Sequence, residues 1–277
     1  IFLTKENDRV VGVVPLGRLM GSKRTVKLKT ISNKETKLIN VNTDQEEVAY
    51  LFSKYGLVSA AVIDDNEKLI GSITVDDVVD VIEEEREEDI LKLGGVGQTD
   101  IYNAVIDTTK SRFSWLLVNL LTAVVASVVI GFFEASIEKV VALAILMPIV
   151  ASMGGNAGMQ TLAVTIRAIA TKELSSGNFN KIVGKEFLIG ILNGIVFAII
   201  TAIIVQLWFQ ELRLSLLIGI SMVLNMIVAG LFGILVPVSL KKVNIDPALA
   251  SSVFVTTITD VIGFLSFLGI GSYFFLN

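Results

Sequence analysis

The 277-residue sequence predicts an α+β cytoplasmic module followed by an all-α polytopic membrane domain of five transmembrane helices. Three observations carry this. Mean hydropathy is +0.72 and 53% of residues are hydrophobic, well above a soluble globular chain. Charge is unevenly divided: residues 1–110 hold 14 Lys/Arg against 20 Asp/Glu, whereas 111–277 hold 9 against 7, mostly in short gaps between apolar runs. Those runs, about 113–133, 140–170, 187–209, 214–240 and 248–275, each supply the roughly 20 apolar residues a bilayer crossing needs. The expected division is 1–88 for the soluble module, 89–112 for a linker with an amphipathic helix, and 113–277 for the five-span domain.

The first hundred residues contain an internal repeat. Asn7-Asp8-Arg9-Val10-Val11-Gly12 is echoed 59 residues later by Asn66-Glu67-Lys68-Leu69-Ile70-Gly71. Each copy reads as strand, polar turn, strand, then helix. Between them a helix is predicted from about Gln45 to Tyr55, with Thr43 or Asp44 as its N-cap. This pattern resembles the paired cystathionine-β-synthase-type (CBS) regulatory domain. The second unit covers about 37–88, and the first begins inside its fold, so the chain is expected to be a fragment. Gly71-Ser72-Ile73-Thr74-Val75-Asp76-Asp77 resembles the G-x-h-T-x-x-D turn with which some CBS units hold a nucleotide, which would make Thr74 and Asp77 ATP contacts. The alternative is an ordinary strand end with a helix N-cap. Gly12 to Arg18, the matching stretch of the first copy, lacks both residues.

Residues 76–89, DDVVDVIEEEREED, hold nine acids and one Arg. On a helix Asp76, Asp77, Asp80, Glu83, Glu84, Glu87 and Glu88 recur at three- and four-residue steps and share a face. Like charges so spaced repel by a few tenths of a kcal/mol per pair, which bound divalent cations would relieve. Such a face is either cation-sensing or merely solvated. The following stretch, interrupted by Gly94-Gly95-Val96-Gly97, is expected to end in a helix along the membrane surface over Ile101–Lys110, with Arg112 and Trp115 at headgroup depth.

The connections after the second and fourth runs carry Lys172, Lys181 and Lys185, and Lys241 and Lys242. The other two hold Glu134, Glu138 and Lys139, and Glu211 and Arg213. The positive-inside bias therefore puts the N-terminal module in the cytoplasm and the C-terminus outside. The second run is expected to be too long and too interrupted for a plain helix. Pro148 removes a backbone donor, and Gly154-Gly155-Asn156-Ala157-Gly158 permits unwinding or close helix approach. Asn156 and Gln160 are four apart, so their amides are expected on one side, facing Asp260. Asn193 and Asn225 are lone amides, expected to make interhelical hydrogen bonds.

Asp260 sits near the middle of the last run. A carboxylate at that depth costs roughly 2.5–3.5 kcal/mol on insertion scales and usually faces a polar pathway. Helical steps of three and four join it to Ser252, Thr256 and Gly263, with Phe267 ending the stripe. The alternative is pairing with a basic residue of another span.

The absence of Cys and His excludes disulfides, thiolate or imidazole ligands and the commonest catalytic groups. A metal handled here is handled by oxygen, which selects hard cations such as Mg²⁺ or Ca²⁺. The acidic balance argues against nucleic acid, and the membrane half shows no acid–base or nucleophile constellation, so an enzyme is least favoured.

A CBS pair, an acidic helix, a linker and five spans together resemble the MgtE family of magnesium channels. The GGNAGMQ run after Pro148 and DPALASSVFVTTITDVIGF from Asp246 are its most specific marks. The resemblance implies a plasma-membrane homodimer with an ion path between two membrane halves, closed when cytoplasmic Mg²⁺ bridges acidic surfaces. Asp260 would be the pore carboxylate holding hydrated Mg²⁺, with Thr256 and Ser252 one and two turns before it and Gly155, Asn156 and Gln160 alongside. Two departures stand out. Family members often carry a second amide where this chain has Met159, which leaves fewer polar contacts. The superhelical domain that usually precedes the CBS pair is expected to be missing. A cation-coupled divalent metal carrier and a membrane-anchored CBS nucleotide sensor are the competing readings.

Overall fold

The computed structural model describes residues 1–33, 36–96 and 104–276, in two compact units, Ile1–Glu87 and Glu88–Asn277. In the first unit β1 (Phe2–Thr4) and β2 (Val10–Val13) form an antiparallel pair, followed by the short helices α1 (Leu16–Met20) and α2 (Leu28–Ile31). A second sheet has the order β3 (Leu38–Asn40), β4 (Ser59–Ile63), β5 (Leu69–Thr74), with β3 parallel and β5 antiparallel to β4. Helix α3 (Gln45–Tyr55) connects β3 to β4, and α4 (Val75–Leu93) follows β5.

The sequence repeat is a repeat of backbone geometry. In the first hairpin Lys5 N–H donates to Arg9 O and Asp8 N–H to Lys5 O; in the second Asp64 N–H donates to Lys68 O and Glu67 N–H to Asp64 O, all at 3.0 Å. The left-handed residue falls at the same repeat position, φ 59° at Asp8 and 62° at Glu67. The two turns meet, Leu69 N–H donating to Asp8 O at 2.9 Å and Arg9 pairing with Glu67 at 3.5 Å.

Asp44 is the N-cap of α3, accepting from Glu46 N–H at 2.9 Å, and Gly56 in the left-handed region ends the helix. Its apolar face, Val48, Ala49 and Phe52, packs on Ile39, Ala60 and Val78 to form the core of this unit.

The second unit contains the last turn of α4, then α5 (Val105–Gly131), the short α6 (Glu134–Lys139), α7 (Ala142–Ala170), α8 (Phe179–Phe209), α9 (Leu212–Lys242) and α10 (Pro247–Leu276). Five of these helices are long and apolar enough to cross a membrane. At about 1.5 Å per residue each outreaches a hydrocarbon core of about 30 Å. Helix α9 is central, packing on α7, α8 and α10, while α5 packs on α10 and leaves most of its surface outward. Leu143, Leu146, Leu217, Ile218, Phe267 and Leu268 are wholly buried at the centre of this bundle.

Two stretches differ from expectation. The second span is not interrupted, since α7 is one continuous helix through Pro148 and the glycines. Pro148 lies on the exposed face, where losing one backbone donor disturbs no packed neighbour. The glycines serve close approach. A Cβ on Gly154 would overlap the Asn225 amide, and one on Gly158 would come within 2.6 Å of Val255 Cγ1. The segment read as a surface helix also continues without a break from Val105 into the first span, forming α5. Residues 101–103 of that reading, and Gly97 of the glycine run, lie outside the described residues.

Candidate functional site

Asp260 projects from the middle of α10, half-buried, with no hydrogen bond or ion pair among the described residues. Among the described residues no basic side chain of another span pairs with it. One turn earlier the Thr256 hydroxyl donates to Ser252 O at 2.9 Å and Val253 O at 3.1 Å. That spends its proton on the helix and leaves its lone pairs as acceptors for the waters of a hydrated cation. The predicted stripe does not stay on one open face. Thr256 and Asp260 are half-exposed, whereas Ser252, Gly263 and Phe267 turn into the bundle.

On α7, Ser152, Asn156 and Gln160 form an exposed line, and Asn156 Nδ2 donates to Ser152 O at 2.8 Å. Gly155 is half-buried, with open space where a Cβ would stand. Gln160 borders a cavity of about 140 Å³ that also takes in Thr161, Glu186 and Asn193, where Thr161 Oγ1 donates to Glu186 Oε2 at 3.2 Å. Met159 packs against the apolar cluster formed by Leu162, Ile166, Ala248 and Val255. The missing second amide thus falls on a packed face, not on the exposed line that carries Asn156.

Between α7 and α10 stands Asn225 of α9, wholly buried, its Nδ2 donating to Val150 O at 2.8 Å. This is the interhelical bond expected of a lone amide. Gly154 and Gly263 lie flat against that amide, and its Oδ1, like Ser221 Oγ and Ser251 Oγ, has no partner among the described residues. Asn225→Ala is expected to lower the unfolding free energy by about 1 kcal/mol. Asn225→Leu, which cannot lie flat against the two glycines, should cost more, ~1–3 kcal/mol. Thermal unfolding in detergent checks the order.

The end of α4 adds a contact that the sequence reading missed. Lys92 Nζ bridges Glu88, one turn earlier, and Asp246 Oδ2 at 2.8 Å. Asp246 Oδ1 meanwhile accepts from Ala248 N–H at 2.9 Å and caps α10, with Pro247 at its first position. Burial disfavours the charge on Lys92, but its bonds to Asp246 and Glu88 outweigh this and raise its pKa above the ordinary 10.5. A raised lysine pKa contributes stability that is present below the unfolded value and lost only as pH rises through the native one. Lys92→Met should therefore loosen this helix end by about 1 kcal/mol, by the same amount across roughly pH 6 to 9. Hydrogen exchange at residues 88–93 is the measurement.

Of the predicted regulatory acids, Asp76, Asp80, Glu83, Glu84 and Glu87 are exposed and take no hydrogen bond or ion pair among the described residues. Glu88 is engaged with Lys92, and neighbouring Glu85 accepts from Gln45 Nε2. No three acids among the described residues converge to hold a metal. Thr74 and Asp77 engage one another: Asp77 Oδ2 accepts from Thr74 N–H at 2.9 Å and from its hydroxyl at 2.6 Å, capping α4. These bonds, the hydroxyl's first, hold the Asp77 carboxyl below its usual range, so the cap is intact above that range and is lost as pH falls through the lowered value. A cavity of about 240 Å³ beside Ile39, Val41, Thr43, Val48, Ile73 and Val78 includes neither residue.

Residues 147–270 match the MgtE family model, described as a divalent cation transporter, and residues 28–84 match the CBS domain model. The chain is similar to the magnesium transporter MgtE of Thermus thermophilus, 35% identical over 98% of this chain and 60% of that protein. It is 31% identical to MgtE of Enterococcus faecalis, over 99% of this chain and 60% of that protein, and 30% identical to MgtE of Bacillus subtilis, over 99% and 61%. It thus spans about 60% of the length of the curated relatives it matches. Among solved structures, the cytosolic domain of the Mg²⁺ channel MgtE in complex with ATP is 36% identical over 29% of this chain and 33% of its own, with a TM-score of 0.29. The soluble part of a magnesium transporter is 31% identical over 30% and 33%, with a TM-score of 0.30.

Proposed function

Because this chain belongs to the MgtE family of divalent cation transporters, we propose that its membrane half passes Mg²⁺ across the plasma membrane along a path that includes Asp260. The observation that carries the reading is a half-exposed carboxylate, without a partner among the described residues, at the middle of a spanning helix. Such a group is stable there only if water or a cation meets it. Mg²⁺ dehydrates reluctantly, so a path for it needs one or two carboxylates and several acceptors for its water shell rather than a full protein cage. Thr256 and Asn156 supply acceptors, with Ser252, Gly155 and Gln160 nearby in sequence.

The exposed polar line of Ser152, Asn156 and Gln160 supports a homodimer, because hydroxyl and amide groups facing hydrocarbon are costly and a second polar surface relieves that cost. Two copies of Asp260 about one axis would then concentrate negative charge for a divalent ion. The N-terminus lies in the cytoplasm and the C-terminus outside. Mg²⁺ shared between the α4 acids and a facing surface favours the closed arrangement by its differential affinity for it. ATP at this turn would meet Asp77 through Oδ1, since Oδ2 is taken by Thr74.

The test is Mg²⁺ uptake into liposomes containing this chain, with single-channel recording beside it. Mg²⁺ currents that follow voltage without added Na⁺ or a proton gradient support the channel. Uptake that requires either gradient turns the reading to a coupled carrier. No uptake from well-folded protein, with adenosine-nucleotide binding retained, turns it to a membrane-anchored nucleotide sensor.

A further inference from the structure

We propose that the Lys-rich end of the helix bundle carries a binding site for an anionic phospholipid, independent of the cation path. A cavity of about 410 Å³ opens there between the end of α7, the α7–α8 connection, the start of α8 and the end of α9. Its walls divide by chemistry. Ile169, Leu174, Phe179 and Val238 supply an apolar side, and Lys241, Lys242, Ser175 and Ser176 supply donors at the other.

Neither lysine has an ion-pair partner among the described residues, and both are exposed. The two serine hydroxyls are likewise free of hydrogen-bond partners among the described residues. Two ammonium groups and two hydroxyls beside a phenyl ring and three aliphatic chains match a molecule with a phosphodiester at one end and hydrocarbon at the other. The site also lies where such a molecule is found, at the end of spanning helices, where basic pockets between helices take anionic headgroups.

The lysines are there partly because basic residues accumulate at cytoplasmic helix ends whatever they touch. What separates a site from that bias is the cavity. Lys181 and Lys185 belong to the same end of the bundle, yet they do not line it. The inference is therefore that Lys241 and Lys242 act on a held lipid, and Lys181 and Lys185 only on the general surface potential.

The experiment is native mass spectrometry of the full chain taken from nanodiscs of phosphatidylcholine with a minor fraction of phosphatidylglycerol, counting retained phosphatidylglycerol. The expected result is retention of this lipid in the unaltered protein, with its apparent affinity weakened on the order of 30-fold in K241Q/K242Q. Retention should be restored in K241R/K242R and unchanged in K181Q/K185Q. Adding inorganic phosphate at millimolar concentration should displace nothing, because phosphate lacks the chains that fill the apolar wall. Equal loss in both glutamine pairs would overturn the proposal in favour of diffuse surface charge. Unchanged retention in K241Q/K242Q, or displacement by inorganic phosphate, would overturn it as well. Mg²⁺ uptake by the same variants is a separate readout, so failure here leaves the transport reading untouched.

Discussion

Asp260→Asn is expected to reduce Mg²⁺ uptake into liposomes by roughly 100-fold, equivalent to ~2.7 kcal/mol, while leaving the protein as stable as before or more so. The two effects have opposite signs for one reason. Asp260 makes no hydrogen bond or ion pair among the described residues, so its removal breaks no structural contact. A carboxylate in the middle of a span costs roughly 2.5–3.5 kcal/mol to place there, and the neutral isostere avoids much of that. On the proposed reading the charge is retained at a cost to the fold, for the sake of the ion. Asp260→Ala should behave alike in uptake, which shows that charge rather than side-chain size is responsible. Asp260→Glu keeps the charge but moves it outward by one methylene, so its uptake should fall between that of the unaltered chain and that of the neutral variants. Uptake and thermal unfolding measured on the same preparations are the check. Unchanged uptake in Asp260→Asn would remove the carboxylate from the path. Loss of uptake together with loss of the folded state would make it a structural residue.

How legible this molecule was in its sequence varied with the range of the interactions involved. The 59-residue echo between Asn7 and Asn66 predicted two equivalent hairpins, because a tight turn is governed by a few adjacent residues, and Asp8 and Glu67 do share the left-handed conformation. The five spans followed from apolar length, itself a local property. Their interior did not. The glycines of α7 were open to unwinding or to close approach, and the choice is made by Asn225, 71 residues beyond Gly154, whose amide lies against that glycine. Nothing in the sequence marks Lys92, because its partner Asp246 lies 154 residues away. At the candidate site, periodicity grouped Ser252, Thr256, Asp260 and Gly263, but a stripe with 3.6-residue spacing spans a wide arc. Only the packed neighbours, such as Asn225 against Gly263, decide which members face inward. In the same way Met159 read as a lost polar contact until its packing against the apolar cluster of Leu162 and Val255 was known.

Neutralising the exposed acids of α4, with Asp80→Asn, Glu83→Gln, Glu84→Gln and Glu87→Gln together, is expected to make uptake nearly independent of Mg²⁺ on the cytoplasmic side. In the unaltered chain these carboxylates repel one another along the helix, and no base among the described residues pairs with them. An ion that bridges them to a second surface gains most in the arrangement that brings the two surfaces together. Under the proposed gating it would close the path only by that difference in affinity, each tenfold of which is worth about 1.4 kcal/mol of population shift. Removing four charges should raise the half-inhibiting Mg²⁺ concentration by roughly 10- to 100-fold, with the maximal rate unchanged because Asp260 is untouched. The helix itself should become slightly more stable without Mg²⁺, by a few tenths of a kcal/mol per relieved pair. This second effect separates the two meanings of the stripe. A merely solvated acidic face predicts the same small gain in stability and no movement of the inhibition curve, so uptake titrated with Mg²⁺ in sided vesicles, beside helix stability in chelator, decides between them.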